Sequence, residues 1–165
     1  MEEFERIDNI DLQNRSDIEE LIEEENEYYI WTGRIYKVNK NEDHQERDFI
    51  VTNLSVINAS NKGNFIKNLF VNKKRRIINL LDISSISYSE MSDYFVIHVE
   101  SEYDYCLYSP LRDQMIEAIL YARKKLYKEN LDFYFTQEVD LHHVTRYENE
   151  QMTEEKSHKV SAQIL

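Results

Sequence analysis

Five histidines, one cysteine and 32 carboxylates are the side chains in this 165-residue chain that could do metal, nucleophilic or acid–base chemistry. Their spacing argues against all three. His142 and His143 are adjacent, so on a strand they point to opposite faces, and His44, His98 and His158 have no cysteine or second ligand pair at zinc spacing. Cys106, inside Tyr105-Cys106-Leu107, reads as a small buried apolar residue and not as a reactive thiol. Glu46 beside Arg47 and Asp93 beside Ser92 are the nearest approach to acid–base pairs, yet no nucleophile–base set is recognisable around them. The expectation is a chain that is not an enzyme and uses no cofactor or metal.

The chemistry that stands out is charge. Lys73-Lys74-Arg75-Arg76 runs straight into Ile77-Ile78 and then Leu80-Leu81-Asp82-Ile83, so a block of cations leads into strand-like apolar sequence. That pattern suggests docking onto a partner. On a strand, two of the four cations would share a face. The same run is also what a solvated edge uses to discourage strand pairing, and a nuclear or nucleic-acid role is disfavoured by the overall acidity.

That acidity is uneven. Of the net charge of -12, residues 1–27 carry twelve acids against two bases, residues 28–135 are nearly neutral, and residues 136–165 hold six acids against three bases. Charges farther apart than about 8 Å are largely screened at physiological salt, so a neutral central domain can still present a positive face. Length suits one domain, and a single cysteine permits no internal bridge. No N-terminal apolar stretch resembles a signal peptide or a membrane span, so the expectation is a soluble chain in the cytoplasm. With Gly 2 and Pro 1, turns must rely on Asn, Asp and Ser.

The elements that position these residues follow from pattern. Ser16-Asp17-Ile18-Glu19 is a capping box, and it predicts a short helix over 17–25 within an acidic arm, 1–27, that is either solvated, packed on a basic partner or folded over the basic cluster. From residue 28 short runs of Ile, Val, Tyr, Phe and Thr predict seven strands, at about 29–38, 47–53, 55–59, 65–70 with or continuing into 75–79, 83–88, 94–99 and 105–108. Alternation along them predicts one buried face each, with Trp31 as a core anchor and most of the twelve tyrosines packed in the sheet. Ser109-Pro110 opens a helix over 110–129 whose stripe is Leu111, Met115, Ala118, Ile119, Ala122 and Leu126, widened by Ile116 and Leu120. A further extended segment over 131–134 and 139–144 follows, then a polar, acidic tail over 146–165.

Seven strands closed by one amphipathic helix is the pleckstrin-homology arrangement, a mainly β sandwich or partly open barrel with a capping helix. Several segments resemble the tail homology 1 domain of class I myosins: Ile35-Tyr36-Lys37-Val38-Asn39-Lys40, Gln45-Glu46-Arg47-Asp48-Phe49-Ile50-Val51-Thr52-Asn53, Lys74-Arg75-Arg76-Ile77, Ile83-Ser84-Ser85-Ile86-Ser87 and Ser92-Asp93-Tyr94-Phe95-Val96-Ile97-His98-Val99. With Leu131-Asp132-Phe133-Tyr134-Phe135 as closing strand, the resemblance covers roughly 28–145.

It implies a docking module for anionic phospholipid, phosphoinositides included, with Lys37, Lys40 and Arg47 as the binding cations and Lys73, Lys74, Arg75 and Arg76 extending the positive face. Lys124 and Lys125 are further candidates. Asn41-Glu42-Asp43-His44 departs from the family's basic loop, and Gln45 stands where many lipid-binding pleckstrin domains have a second base, so the inositol-phosphate pocket is weakened. No nucleotide-binding loop of the form GxxxxGK(S/T) occurs, so no motor accompanies the module in these residues. The alternative expectation is a structural component of a cytoskeletal assembly such as the ciliary axoneme, with protein partners and no lipid.

Overall fold

The structure, a computed structural model, describes residues 4–15, 22, 26–39, 41–60, 76–100, 103–128, 130–136 and 139. Nine strands and one helix lie among them: β1 Ile7–Asp8, β2 Tyr29–Val38, β3 His44–Thr52, β4 Ser55–Ser60, β5 Arg76–Asn79, β6 Ile83–Ser89, β7 Tyr94–Val99, β8 Tyr105–Tyr108, α1 Arg112–Tyr127 and β9 Asp132–Thr136. The strand order is β5-β4-β3-β2-β8-β7-β6-β9, with β1 lying beside β2. Pairing is antiparallel except for β1 with β2 and β6 with β9.

β2 holds the two halves together. One of its edges pairs with β3 along nearly its whole length, while the other takes β1 at Trp31 and Thr32 and β8 at Tyr36 and Lys37. The main core lies between the halves and under α1, whose buried residues are Met115, Ile116, Ala118, Ile119 and Ala122. Trp31 is the anchor expected of it, fully buried, with Nε1 donating to Gln114 Oε1 on the helix at 3.2 Å. Its indole lies over Gly33, where a Cβ would come within 2.3 Å of the ring. Leu126, expected on the helix stripe, is instead exposed. Ser109 does not cap the helix directly: its Oγ accepts the Leu111 amide at 3.0 Å, and the helix begins at Arg112.

Alternation predicted one buried face per strand; β5 keeps that pattern, whereas β3, β4 and β7 bury both faces along part of their length. Phe49-Ile50-Val51 and Phe95-Val96-Ile97 are all fully buried, because segments outside the seven expected strands cover the outer faces. On β3 and β4, Leu12 packs with Ile50, Ile57 and Ala59, supported by Ile10 and Ile22. On the other half, Val139 joins Val38, Val96 and Cys106. Continuous apolar runs are the signature of a strand covered on both sides.

Residues 4–15, part of the acidic arm in the sequence reading, are therefore laid against the sheet. Asp8 Oδ1 accepts from Thr32 Oγ1 at 2.6 Å and Asp8 Oδ2 from the Leu12 amide at 2.8 Å. Arg15 pairs with the fully buried Asp48 carboxylate at 3.3 Å, and Arg34 reaches its other oxygen at 3.0 Å. The helix expected over 17–25, the 65–70 strand, the extension at 140–144 and the tail fall outside the described residues.

Two substitutions test this packing by denaturant unfolding. Leu12→Ala is expected to cost about 2–3 kcal/mol, within the range for emptying a buried leucine site, whereas a change below about 0.5 kcal/mol would separate the N-terminal segment from the cooperative unit. Gly33→Ala is expected to destabilise by about 1–3 kcal/mol through overpacking against Trp31. An unchanged midpoint would mean that the indole does not rest on the β2 backbone.

Candidate functional site

The strand register decides which cations meet. Directly opposed residues point to the same side of a sheet, and Ile35 opposes Arg47 while Lys37 opposes Gln45 on β3 and Leu107 on β8. Phe49 opposes Asn58, which in turn opposes Arg76 on β5. Ile35, Phe49 and Leu107 are core residues, so Lys37, Arg47 and Arg76 also lie on the inner side of the sheet. They sit toward one end of the sandwich, where β2 turns into the hairpin leading to β3.

Two tyrosines organise this end. Tyr103, in the connection from β7 to β8, stacks on the fully buried Tyr105 with ring centroids 5.3 Å apart and planes at 28°. The Arg76 guanidinium lies 3.6 Å above the Tyr103 ring and 5.0 Å from that of Tyr105. Lys37 Nζ lies 4.7 Å and 5.5 Å from the same two rings and donates to Tyr103 Oη at 3.1 Å. Arg76 therefore reaches from β5 to rings belonging to the other half, across the mouth of the sandwich.

Arg47 is held differently. It donates to Gln45 Oε1 and to the Glu46 carbonyl, each at 2.8 Å, so its described partners are neutral acceptors. Asn58, buried at 7% exposure on the same inner side, has an Oδ1 without a hydrogen-bond partner. A buried acceptor left bare costs about 1–3 kcal/mol. Three cations on one inner side of the sheet form a candidate site for an anion.

The hairpin beside it is built without glycine. Asn39 Oδ1 accepts the amides of Asn41 at 2.8 Å and Asp43 at 2.9 Å, and Glu42 takes the left-handed conformation at φ 63°. Glu42 and Asp43 are exposed at its tip, the carboxylates that the sequence reading set against a strong phosphate pocket. On the outer side of the same strands Tyr36, His44, Tyr94 and Tyr108 form an aromatic cluster, with His44 Nε2 2.9 Å from Tyr94 Oη. Burial, with smaller contributions from Cys106, Tyr108 and Glu42, raises the Tyr94 phenol above its ordinary range.

Of the cations expected at the site, Lys40, Lys73, Lys74 and Arg75 lie outside the described residues. Lys124 and Lys125 sit near the helix C-terminus. Lys125 donates to Tyr121 Oη at 3.2 Å, and this bond, then the approach to Tyr28, raises its ammonium above the usual lysine range. Tyr28 stands at the start of β2 and Lys37 near its end, roughly 30 Å away at about 3.3 Å per residue, so these lysines do not join the mouth. Tyr103, Tyr105 and Asn58 were not singled out as site residues. The i, i+2 spacing of the two tyrosines, which puts both on one face, was the available signal.

A second array was also missed. Ser87 Oγ lies 2.8 Å from His98 Nε2, and His98 Nδ1 lies 2.7 Å from Asp104 Oδ2. The order resembles a hydrolase triad, but Ser87 is 4% exposed in the middle of a strand paired on both sides, where a substrate has no approach and the neighbouring amides serve the ladders. Asp104 Oδ1 also accepts the Val99 amide at 3.1 Å. The array pins the β7–β8 connection, and so fixes the residue beside Asp104, Tyr103.

With this geometry in place, comparison with known proteins adds a lineage. The unconventional myosin tail family, described as actin- and lipid-binding, matches residues 4–164. The chain belongs to that family. Its fold is pleckstrin-homology-like, mostly sheet with one C-terminal helix. Among solved structures it is similar to the hSac2 domain of the human phosphoinositide phosphatase Sac2, with TM-score 0.56 and 8% identity over 76% of this chain and 87% of that one. It is also similar to the C-terminal domain of an unknown protein from Leishmania infantum, with TM-score 0.50 and 14% identity over 69% and 97%. A truncated linker-DH/PH structure of p115-RhoGEF matches with TM-score 0.51 and 12% identity over 73% of this chain and 37% of that one. At these identities the likeness is one of fold. No curated protein matches the chain. Family and fold together make it a binding module, and no helix among the described residues is long and apolar enough to cross a membrane.

A double-mutant cycle tests the stacking at the mouth. Arg76→Met and Tyr103→Leu are expected to be coupled by about 0.5–2 kcal/mol in denaturant unfolding, the range for a guanidinium on an aromatic face. Additivity to within about 0.3 kcal/mol would contradict the contact.

Proposed function

We propose that the chain docks onto membranes by taking the headgroup of an anionic phospholipid, foremost a phosphoinositide, into the mouth of the sandwich. Lys37, Arg47 and Arg76 are the cations that meet it. One observation carries the reading: β2, β3 and β5 each place a cation on the inner side of the sheet at the same end. A phosphate clamp needs convergent cations, and guanidinium groups supply paired donors to its oxygens. Lys40, Lys73, Lys74 and Arg75 would add charge along the adjoining connections, and the family's description as actin- and lipid-binding agrees with such a partner.

In this role the chain is an adaptor at the membrane–cytoskeleton boundary, peripheral to the membrane, with actin-based structures as its second partner. Glu42 and Asp43 on the hairpin tip oppose an anionic surface, so affinity rests on the mouth more than on general attraction. The rival reading, a brick of the ciliary axoneme without lipid binding, has no observation of its own in its favour.

Vesicle sedimentation tests the proposal. The chain is expected to pellet with phosphatidylcholine vesicles containing phosphatidylinositol bisphosphate, less so as salt rises, and Lys37→Ala with Arg47→Ala is expected to weaken this by roughly 30-fold, from about 1 kcal/mol for each basic side chain at a membrane surface. Absence of pelleting at low salt, or binding unchanged in the double variant, would refute it.

A further inference from the structure

The mouth of the sandwich carries a tyrosine placed to control it. Tyr103 is half-buried in the β7–β8 connection, while Tyr105, two residues on, is fully buried. Its hydroxyl is 3.1 Å from Lys37 Nζ and its ring lies under the Arg76 guanidinium at 3.6 Å. Tyr103 thus already contacts two of the cations proposed for the lipid phosphate, Lys37 through its hydroxyl and Arg76 through its ring.

We infer that Tyr103 is a phosphorylation site whose phosphate occupies the mouth in place of the lipid headgroup. The inference rests on the docking reading above. In the modifying step, a protein tyrosine kinase brings the γ-phosphorus of a nucleoside triphosphate to Tyr103 Oη. The Oη–P bond forms, the bond to the bridging oxygen breaks, the nucleoside diphosphate leaves with that electron pair, and the phenol proton passes to the kinase's base. The product bears a charge of about -1.5 to -2 and three strong acceptor oxygens. Lys37 already touches the oxygen that would carry the phosphate, and Arg76 is stacked on the same ring.

Two consequences follow. The phosphate competes with an incoming anion for charge-assisted hydrogen bonds to Lys37 and Arg76. It also adds negative charge where the headgroup would enter. The pinned geometry favours capture in cis, because the Ser87–His98–Asp104 chain holds the adjoining backbone and the phosphate pays little ordering entropy on meeting its partners.

The test uses the full chain in three forms: unmodified, carrying Tyr103→Phe, and carrying phosphotyrosine genetically encoded at position 103. The phosphorylated chain is expected to bind phosphatidylinositol bisphosphate vesicles roughly 30-fold more weakly than the unmodified chain, about fivefold for each cation withdrawn, and the Tyr103→Phe chain is expected to lose the kinase label at this position. Phosphorus NMR is expected to show the phosphotyrosine's second ionisation below that of a free phosphotyrosine peptide, with the shift reversed by Lys37→Ala. Treatment of the folded chain with a tyrosine kinase and ATP, read by mass spectrometry, is expected to label Tyr103. Equal vesicle binding with and without the phosphate overturns the inference while leaving the docking proposal standing. Failure of the unmodified chain to bind overturns the docking proposal and the competition with it. A peptide-like ionisation, or a folded chain left unlabelled at Tyr103, overturns the assignment of the site.

Discussion

Two cations resting on a stacked tyrosine pair hold the working end of this molecule in shape. An aromatic face holds a guanidinium by its quadrupole. Arg76 leaves β5, at one end of the strand order, and comes to rest on rings from the start of β8 and the connection before it. The two halves are thereby linked at this end through Lys37 and Arg76. Arg47 is bonded to the neutral Gln45 side chain and a backbone carbonyl.

In the body of the sandwich the pairing is ionic. Asp48 is fully buried and takes guanidinium groups from Arg15 and Arg34, because a buried carboxylate must be paired and hydrogen-bonded to be tolerated. That pairing also ties the N-terminal segment to the outer face of β3. Leu12 and Arg15 thus lie on the side away from Lys37, Arg47 and Arg76, while Phe4 and Ile7 pack on the main core. Asp48 and Arg47, adjacent on β3, face opposite sides of the sheet, and strand alternation suffices to separate them.

Much of this was legible. The bounds of β2, β7 and β8 follow from apolar runs flanked by Asn, Asp and Ser, and Lys37 and Arg47 could be named because the resemblance fixed their places on the first hairpin. The two-residue β1 left no trace in the pattern, since Ile7-Asp8 gains its order from the free edge of β2. The outer layers were hidden for a related reason: Leu12 and Val139 pack on strands far away in sequence, and only the unbroken runs at Phe49 and Phe95 hinted that something covers them. The mouth was half legible. A strand register was needed to see that Arg76 stands two places across from Phe49, and a folded chain was needed to see that it reaches Tyr103. The Ser87–His98–Asp104 chain required the same knowledge, since nothing in the spacing of those residues marks them as neighbours.

The proposed recognition requires the three cations to converge upon one anion at the mouth, and residue-resolved NMR with a soluble inositol bisphosphate headgroup examines that most directly. Saturable shifts confined to Lys37, Arg47, Asn58, Arg76 and Tyr103, with the outer cluster of Tyr36, His44, Tyr94 and Tyr108 unmoved, are the predicted result. Shifts centred on that outer cluster or on the helix lysines, with the mouth unchanged, would contradict it.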